Sequence, residues 1–145
     1  MRLVFGEKDA PYEEARVVVL PVPYDLSLSF LPGARRGPEA ILLASRELEP
    51  FLLELGAAPE EVGIHAAEPV PWVAGMAEES HRLIREEALK HLRAGKWLVA
   101  LGGDHSVTHP LVQAHREALG EFSLLHVDAH ADLYLGTRWC NAHTG

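Results

Sequence analysis

Three potential metal ligands stand at a spacing of two residues near the end of this sequence: Asp128, His130 and Asp132. A further imidazole, His126, precedes them, directly after the strand-like segment Phe122–Leu125. Side chains two residues apart on an extended chain point to the same side, so we expect the three to share one face. Donors that close together favour a divalent cation between them. This mixture of carboxylate and imidazole is typical of Mn, Zn, Fe, Co or Ni, and the carboxylates favour Mn.

A second candidate block, Leu101–Ser106, contains a double glycine followed by Asp104 and His105. The glycines permit a tight turn and a close approach of the backbone, which would let Asp104 or His105 face a ligand. A structural interpretation competes with this one, because Asp104 or Ser106 would also serve as a cap for the following helix. For this block alone the capping interpretation is favoured, whereas the Asp-x-His-x-Asp run is harder to explain without a metal.

The remaining polar candidates receive no role in the chemistry. His81, His91 and His115 fall on the faces of expected helices, where we expect them to be exposed to solvent. His126 is expected to pack or to support the ligands rather than to bind metal. Cys140 has no base at a fixed spacing that would make it a nucleophile.

Both blocks follow segments that have the pattern of buried strands. Short apolar strands alternate with amphipathic helices along the chain, which favours a parallel α/β sheet. Ligands of such sheets gather beyond the carboxyl ends of the strands, and both blocks fall there. The predicted strands are Arg16–Leu20, Val62–His65, Trp97–Leu101 and Phe122–Val127, and the predicted helices are Ala40–Leu55 (with Pro50 as a candidate break), Gly75–Ala94 and Thr108–Leu119.

Length and composition predict one globular domain, with 145 residues of which 48% are hydrophobic. No apolar run is long enough to cross a membrane, and the first residues carry no signal-peptide pattern. Cys140 is the sole cysteine, which excludes a disulfide framework and favours the cytoplasm. The formal net charge of -8 argues against nucleic acid and anionic membranes as partners, and it suits a cationic substrate.

In their order along the chain, these blocks resemble the ureohydrolase family, which comprises arginases, agmatinases and their relatives. Leu101–Ser106 is similar to the family's first metal-ligand block, and His126–Asp132 is similar to the second. Pro23–Asp25 together with Pro32–Pro38 is similar to the amino-terminal segment of agmatinase-type members, and Asn141–His143 stands where the family carries its active-site histidine. The resemblance implies an arginase-like α/β fold, a three-layer parallel sheet with helices on both faces.

The resemblance also implies a binuclear manganese hydrolase. By position, His105 would bind one Mn²⁺ and His130 the other, Asp128 would bridge them, and Asp132 would complete the first site. Two cations lower the pKa of a shared water, and the resulting hydroxide attacks a guanidinium carbon. Asp132 would relay a proton to the leaving amine, and His143 matches the histidine that shuttles protons. Urea and an amine are the products, which implies a role in polyamine biosynthesis for an enzyme that is a homo-oligomer when intact.

The loop after the second block, Leu133–Cys140, carries the sequence's information about the substrate. Tyr134 and Trp139 would suit an alkyl chain or a cationic amine, through apolar contact and cation–π attraction. Thr137 or Arg138 could still contact a carboxylate. We therefore predict that agmatine or a longer guanidino-amine is hydrolysed faster than arginine.

One departure from the family concerns length. The family's fold requires a considerably longer chain, whose second half supplies an Asp-x-Asp pair with the remaining metal ligands, and no such pair follows here. We expect residues 1–145 to be the amino-terminal part of a single ureohydrolase domain without its carboxyl-terminal half, inactive by itself and with a gap in its sheet. The alternatives are a non-catalytic metal-binding relative or fragment that acts through a partner, an arginase- or formiminoglutamase-type enzyme, and a binuclear phosphoesterase.

Overall fold

The structure is a computed structural model, and it describes residues 6, 8–26, 31–49 and 51–132. The part that it describes alternates strands and helices in the order expected for an α/β domain. The strands are β1 (Val17–Val22), β2 (Ile64–Ala66) and β3 (Trp97–Gly102), and the helices are α1 (Gly37–Ala44), α2 (Ala77–Arg93) and α3 (Thr108–Leu119).

The three strands form one parallel sheet with the order β2–β1–β3. β1 is the central strand, which explains its continuous apolar run, because a parallel strand between two neighbours is buried on both faces. Along β1 the side chains alternate between two separate clusters of the core. Val18, Leu20 and Val22 face one side of the sheet, and Val19 faces the other.

The helices cover the two faces unequally. α2 and α3 pack together over one face, where Ile84 and Ala114 join the larger core cluster. α1 covers the opposite face with Leu42. The chain therefore leaves β1 toward one face and leaves β3 toward the other. This is the point in a parallel sheet where a crevice opens between neighbouring strand ends, and it is the usual position of a ligand site.

Most of the predicted elements are confirmed, and two are wrong. The helix predicted to run to Leu55 ends at Ala44 and continues only as a short 3-10 turn, Ser45–Glu47. The segment 122–127 is exposed, has no regular secondary structure and pairs with no strand among the described residues. A strand needs a neighbour to form hydrogen bonds with, and the segment has none among the described residues. β3 lies at the end of the strand order, so the edge that does not face β1 is unpaired among the described residues.

A polar network fixes the segment before β1 to the opposite, amino-terminal ends of the strands. Lys96 donates to the carbonyl oxygens of Tyr12 at 2.8 Å and Ala15 at 2.7 Å, and its ammonium lies over the Tyr12 ring. The Tyr12 hydroxyl lies 3.0 Å from Nδ1 of His91. His91 is only 2% exposed, so the prediction that it faces solvent is wrong. Burial lowers its pKa, and nearby Glu87 opposes the shift only in part.

No helix in the described ranges is both long enough and apolar enough to cross a membrane.

Candidate metal centre

A tight contact between two loops sets the position of the site. The backbone N–H of Asp104 donates to the carbonyl oxygen of Tyr24 at 2.8 Å, which ties the loop after β3 to the loop after β1. Gly103 makes this contact possible, since a Cβ built on it would lie 1.9 Å from that same oxygen. The double glycine is therefore required by close packing of backbone against backbone.

Asp104 has the capping role that the sequence left as an alternative. Its buried carboxylate accepts hydrogen bonds from the backbone N–H and the hydroxyl of Ser106, at the start of the turn that leads into α3. Burial, and secondarily the negative charge of Asp104, raise the pKa of the Tyr24 hydroxyl. Asp104 thus holds the turn, and the next side chain, His105, points outward from it and is exposed.

His105 is oriented by contacts on both ring nitrogens. Its Nε2 lies 2.9 Å from Oδ2 of Asp132, and its Nδ1 lies 3.4 Å from Oγ1 of Thr108. A metal-binding imidazole typically uses one nitrogen as ligand while the other is held by a hydrogen bond. Because Thr108 holds Nδ1, the nitrogen available to bind a metal is Nε2, which faces Asp132.

The Asp-x-His-x-Asp run does not have the extended conformation expected from its spacing. Residues 128–130 bend, because Oδ1 of Asp128 accepts the backbone N–H of His130 at 2.9 Å. This hydrogen bond, followed by the positive charge of neighbouring imidazoles, lowers the pKa of Asp128. The bend turns His130 outward, with its side chain 82% exposed. Asp132 has a φ of 50°, a conformation uncommon outside glycine, and its carboxylate returns to His105.

Four side chains come together at this point: His105, His126, Asp128 and Asp132. Their ligand atoms all lie within 4.8 Å of one another. Ligands around one cation, at bond lengths of about 2.0–2.2 Å, lie roughly 3–4.3 Å apart, so the set fits a divalent metal after small adjustments. Two imidazoles and two carboxylates are also a donor set that suits transition metals.

The structure therefore brings together three of the four expected ligands and adds one. His130 lies outside the group, and its role as a ligand stays a prediction. His126 lies inside the group, although the strand pattern suggested packing for it. Aspartate side chains often accept a hydrogen bond from the backbone N–H two residues later, so a bend at Asp128 could have been anticipated. This tendency was the one feature of the sequence that pointed to a place for His126 in the group. The expected proton shuttle, His143, and the substrate-loop residues Tyr134 and Trp139 lie outside the described residues.

The fold and the four-residue cluster define a parallel α/β protein with a candidate metal centre at the carboxyl ends of its strands. The sequence model of the arginase family matches residues 15–143. This match covers most of the chain, so the chain belongs to the arginase family, as its resemblance to ureohydrolases predicted. The predicted arginase-like fold is also confirmed by similar solved structures.

The chain is similar to relatives that are named as a ureohydrolase and as an agmatinase. It is 97% identical over 134 residues to the N(1)-aminopropylagmatine ureohydrolase of Thermus thermophilus, covering 92% of this chain and 46% of that protein. It is 36% identical over 130 residues to the agmatinase of Bacillus anthracis, covering 90% and 45%. The chain thus spans less than half of each of these relatives.

Two solved structures illustrate the likeness in fold. An X-ray structure of a hypothetical agmatinase from Burkholderia thailandensis superposes with a TM-score of 0.81 at 32% identity, over 93% of this chain and 45% of that one. Formiminoglutamase of Trypanosoma cruzi, solved with Mn²⁺, superposes with a TM-score of 0.67 at 24% identity, over 75% and 37%. The second likeness concerns the fold alone.

Proposed function

We propose that this chain is the amino-terminal part of a metal-dependent ureohydrolase that cleaves a guanidino-amine into urea and an amine. The observation that carries the proposal is the convergence of His105, Asp128 and Asp132 within one group of ligand atoms at the carboxyl ends of the strands. These positions match the family's ligand blocks, and the near-identical Thermus thermophilus protein is named for this class of substrate.

In this proposal the protein holds two Mn²⁺ ions when intact. His105 and Asp132 would hold the first ion, His130 would hold the second, and Asp128 would contribute to both sites. When bound, the pair supplies Lewis acidity and a water of lowered pKa. Asp132 accepts a proton at its carboxylate and passes it to the leaving amine, and His143 exchanges protons with solvent.

The proposed substrate is agmatine or, more closely, a longer guanidino-amine such as N(1)-aminopropylagmatine. A cationic chain suits a protein with a formal net charge of -8, and Tyr134 and Trp139 of the following loop offer apolar and cation–π contacts. Aromatic contacts of this kind favour an alkyl amine over the carboxylate of arginine. The intact enzyme would act in polyamine synthesis as a cytoplasmic homo-oligomer, and the single cysteine agrees with a reducing compartment.

The test is a chimera with the Thermus thermophilus relative, because that protein is 97% identical over 134 residues and should accept this half without repacking. Residues 1–145 of this chain would be joined to the carboxyl-terminal part of the relative, and the chimera would be loaded with Mn²⁺ and assayed for urea release. We expect N(1)-aminopropylagmatine and agmatine to give a higher kcat/KM than arginine. A chimera that folds and binds Mn²⁺ but releases no urea from any guanidino compound contradicts the proposal.

Two substitutions separate ligation from proton transfer. In the chimera, Asp128→Asn should lose metal and activity together, because a bridging ligand needs its charge. In the same chimera, His143→Ala should lower kcat much more than the metal content, because His143 is proposed to transfer protons and not to bind metal. Unchanged manganese stoichiometry in the Asp128 variant would end its assignment as the bridge.

A second candidate is favoured by the fact that the four-residue cluster assembles without any further segment. In this alternative the 145-residue chain is a metal-binding fragment or relative that acts through a partner instead of by catalysis. The chain by itself is expected to release no urea under either proposal. Activity of the chimera is therefore the deciding measurement, since only the first proposal expects it.

A further inference from the structure

A second group of polar side chains lies between helices α2 and α3, outside the four-residue cluster. The two helices border an open cavity of about 300 Å³, whose described lining shares no residue with that cluster. The lining comes from both helices: Glu78, His81, Arg82, Arg85, His109 and Gln113. We propose that this cavity binds a divalent transition-metal cation, Ni²⁺ or Zn²⁺, through Glu78, His81 and His109.

Helical spacing brings these donors to the cavity in two pairs. Glu78 and His81 are three residues apart on α2, so their side chains are neighbours on one face of that helix. A glutamate and a histidine at this spacing form a metal-binding motif in helix bundles that hold di-iron or di-manganese centres. On α3, the side-chain nitrogens of His109 and Gln113 lie 3.3 Å apart, since these residues are separated by one helical turn.

The separation of the two imidazoles is close to that of two ligands on one cation. The ring centroids of His81 and His109 lie 6.5 Å apart. With metal–nitrogen bonds of about 2.1 Å, two such centroids lie roughly 5–6.5 Å apart, from a tetrahedral to a trans arrangement. The ring of Tyr24 packs against His81 at 5.5 Å, whereas His109 is exposed. A shift of about 1 Å by the exposed ring is therefore sufficient for a tetrahedral site.

The arginines of the lining are held by carboxylates outside the cavity lining, which limits their repulsion of a cation. Arg82 donates to Glu79 at 2.8 Å and to Glu86 at 2.6 Å, and Arg85 donates to Glu117 at 2.9 Å. The cavity itself then offers one carboxylate and two imidazoles. Such a set favours Ni²⁺ and Zn²⁺ over Mn²⁺, because imidazole suits these metals and carboxylate suits Mn²⁺.

A cation in the cavity would join α2 directly to α3. Both helices contribute to the larger core cluster over one face of the sheet. A ligand that binds the folded chain and not the unfolded chain raises stability by mass action, so the site predicts a Tm that depends on the concentration of Ni²⁺. The site uses none of the residues that the proposed reaction requires, and the two proposals are therefore independent.

The experiment is a calorimetric titration of the 145-residue chain with Ni²⁺. The four-residue cluster and its neighbour are first disabled by His105→Ala, His126→Ala and His130→Ala, whose side chains are all exposed. In this background we expect one Ni²⁺ to bind and to raise Tm. Adding His109→Ala or Glu78→Gln should weaken that binding by about tenfold or more, because a ligand is lost.

His115→Ala is the matched control. It removes a histidine from the same helix as His109, but His115 does not line the cavity, so Ni²⁺ affinity should change by less than about threefold. Circular dichroism verifies that each variant retains its helices; His109→Ala and Glu78→Gln alter different helices, so either one decides if the other fails to fold. No Ni²⁺ binding in the background, or equal losses in His109→Ala and His115→Ala, would overturn the inference. Urea release by the chimera tests the proposed function separately.

Discussion

Gly103 offers the sharpest test of how the metal-binding loop is held. In Gly103→Ala, the new Cβ would lie 1.9 Å from the carbonyl oxygen of Tyr24 and 2.8 Å from its carbonyl carbon. Both atoms belong to backbone, so no side-chain rotation relieves the overlap. Gly103 is not among the glycines with positive φ, so the expected effect arises from the overlap and not from a forbidden conformation.

The magnitude follows from the two interactions at risk. The loops after β1 and β3 must separate by more than about 1 Å to restore an ordinary nonbonded distance. Overpacking of this kind costs about 1–3 kcal/mol. The separation also breaks the hydrogen bond from Asp104 to Tyr24, which contributes about 1 kcal/mol. We therefore expect the free energy of unfolding to fall by about 2–4 kcal/mol, or Tm by about 6–12 °C.

The assay is urea denaturation of the chain, followed by circular dichroism and tryptophan fluorescence. Gly37→Ala is the matched control, because Gly37 lies at the same strand end, has helical dihedral angles, and its added Cβ would meet Gly102 at an ordinary 3.6 Å. That variant should be neutral or slightly stabilised, by up to about 1 kcal/mol. A loss below about 1 kcal/mol in Gly103→Ala would refute the steric reasoning, since overpacking alone should exceed it.

Three further predictions concern other parts of the chain. Lys96→Met should lower the free energy of unfolding by about 1.5–3 kcal/mol, because the partly buried carbonyls of Tyr12 and Ala15 lose a charged donor. Lys90→Met should cost less than about 1 kcal/mol, since its ion pair is exposed. Equal losses in denaturation would contradict this. Because burial lowers the pKa of His91 below 6.5, its contribution to stability is complete above that pH and is lost as the pH falls below it. His91→Gln should therefore flatten the decline in Tm from pH 7 toward pH 5, and an unchanged slope would exclude His91 as the cause. Thr108→Val should weaken Co²⁺ binding by about threefold to tenfold by freeing the His105 ring, while Thr108→Ser should not, as calorimetry would show.

Helices and the central strand could be predicted from the sequence because their signals are local. α2 and α3 follow from apolar residues at helical spacing, and β1 follows from a short apolar run. The end of α1 was harder to predict from the sequence. After Ala44 the apolar residues continue, as in the predicted helix to Leu55, but several of them, including Leu53, are exposed and contribute nothing to the core. Periodicity indicates that a helix is compatible with a segment, not that anything packs against it.

The sequence by itself determined the chemistry available at the site and its place in the fold. Asp and His donors after two apolar segments, with a double glycine before His105, were sufficient to predict a candidate metal centre at the strand ends. This information is local, because motifs and turn preferences depend on residues that are close together in the sequence.

Only the tertiary structure decided which side chains meet there. Spacing two would place His130 beside Asp128 on a paired strand, but the segment pairs with no strand among the described residues. Without such a neighbour, the carboxylate of Asp128 bonds the chain's own backbone, the segment bends, and His126 faces the cluster instead. In the same way, His91 is buried by Tyr12, which is 79 residues distant in sequence. Contacts of this kind arise when distant segments pack, and no local pattern encodes them.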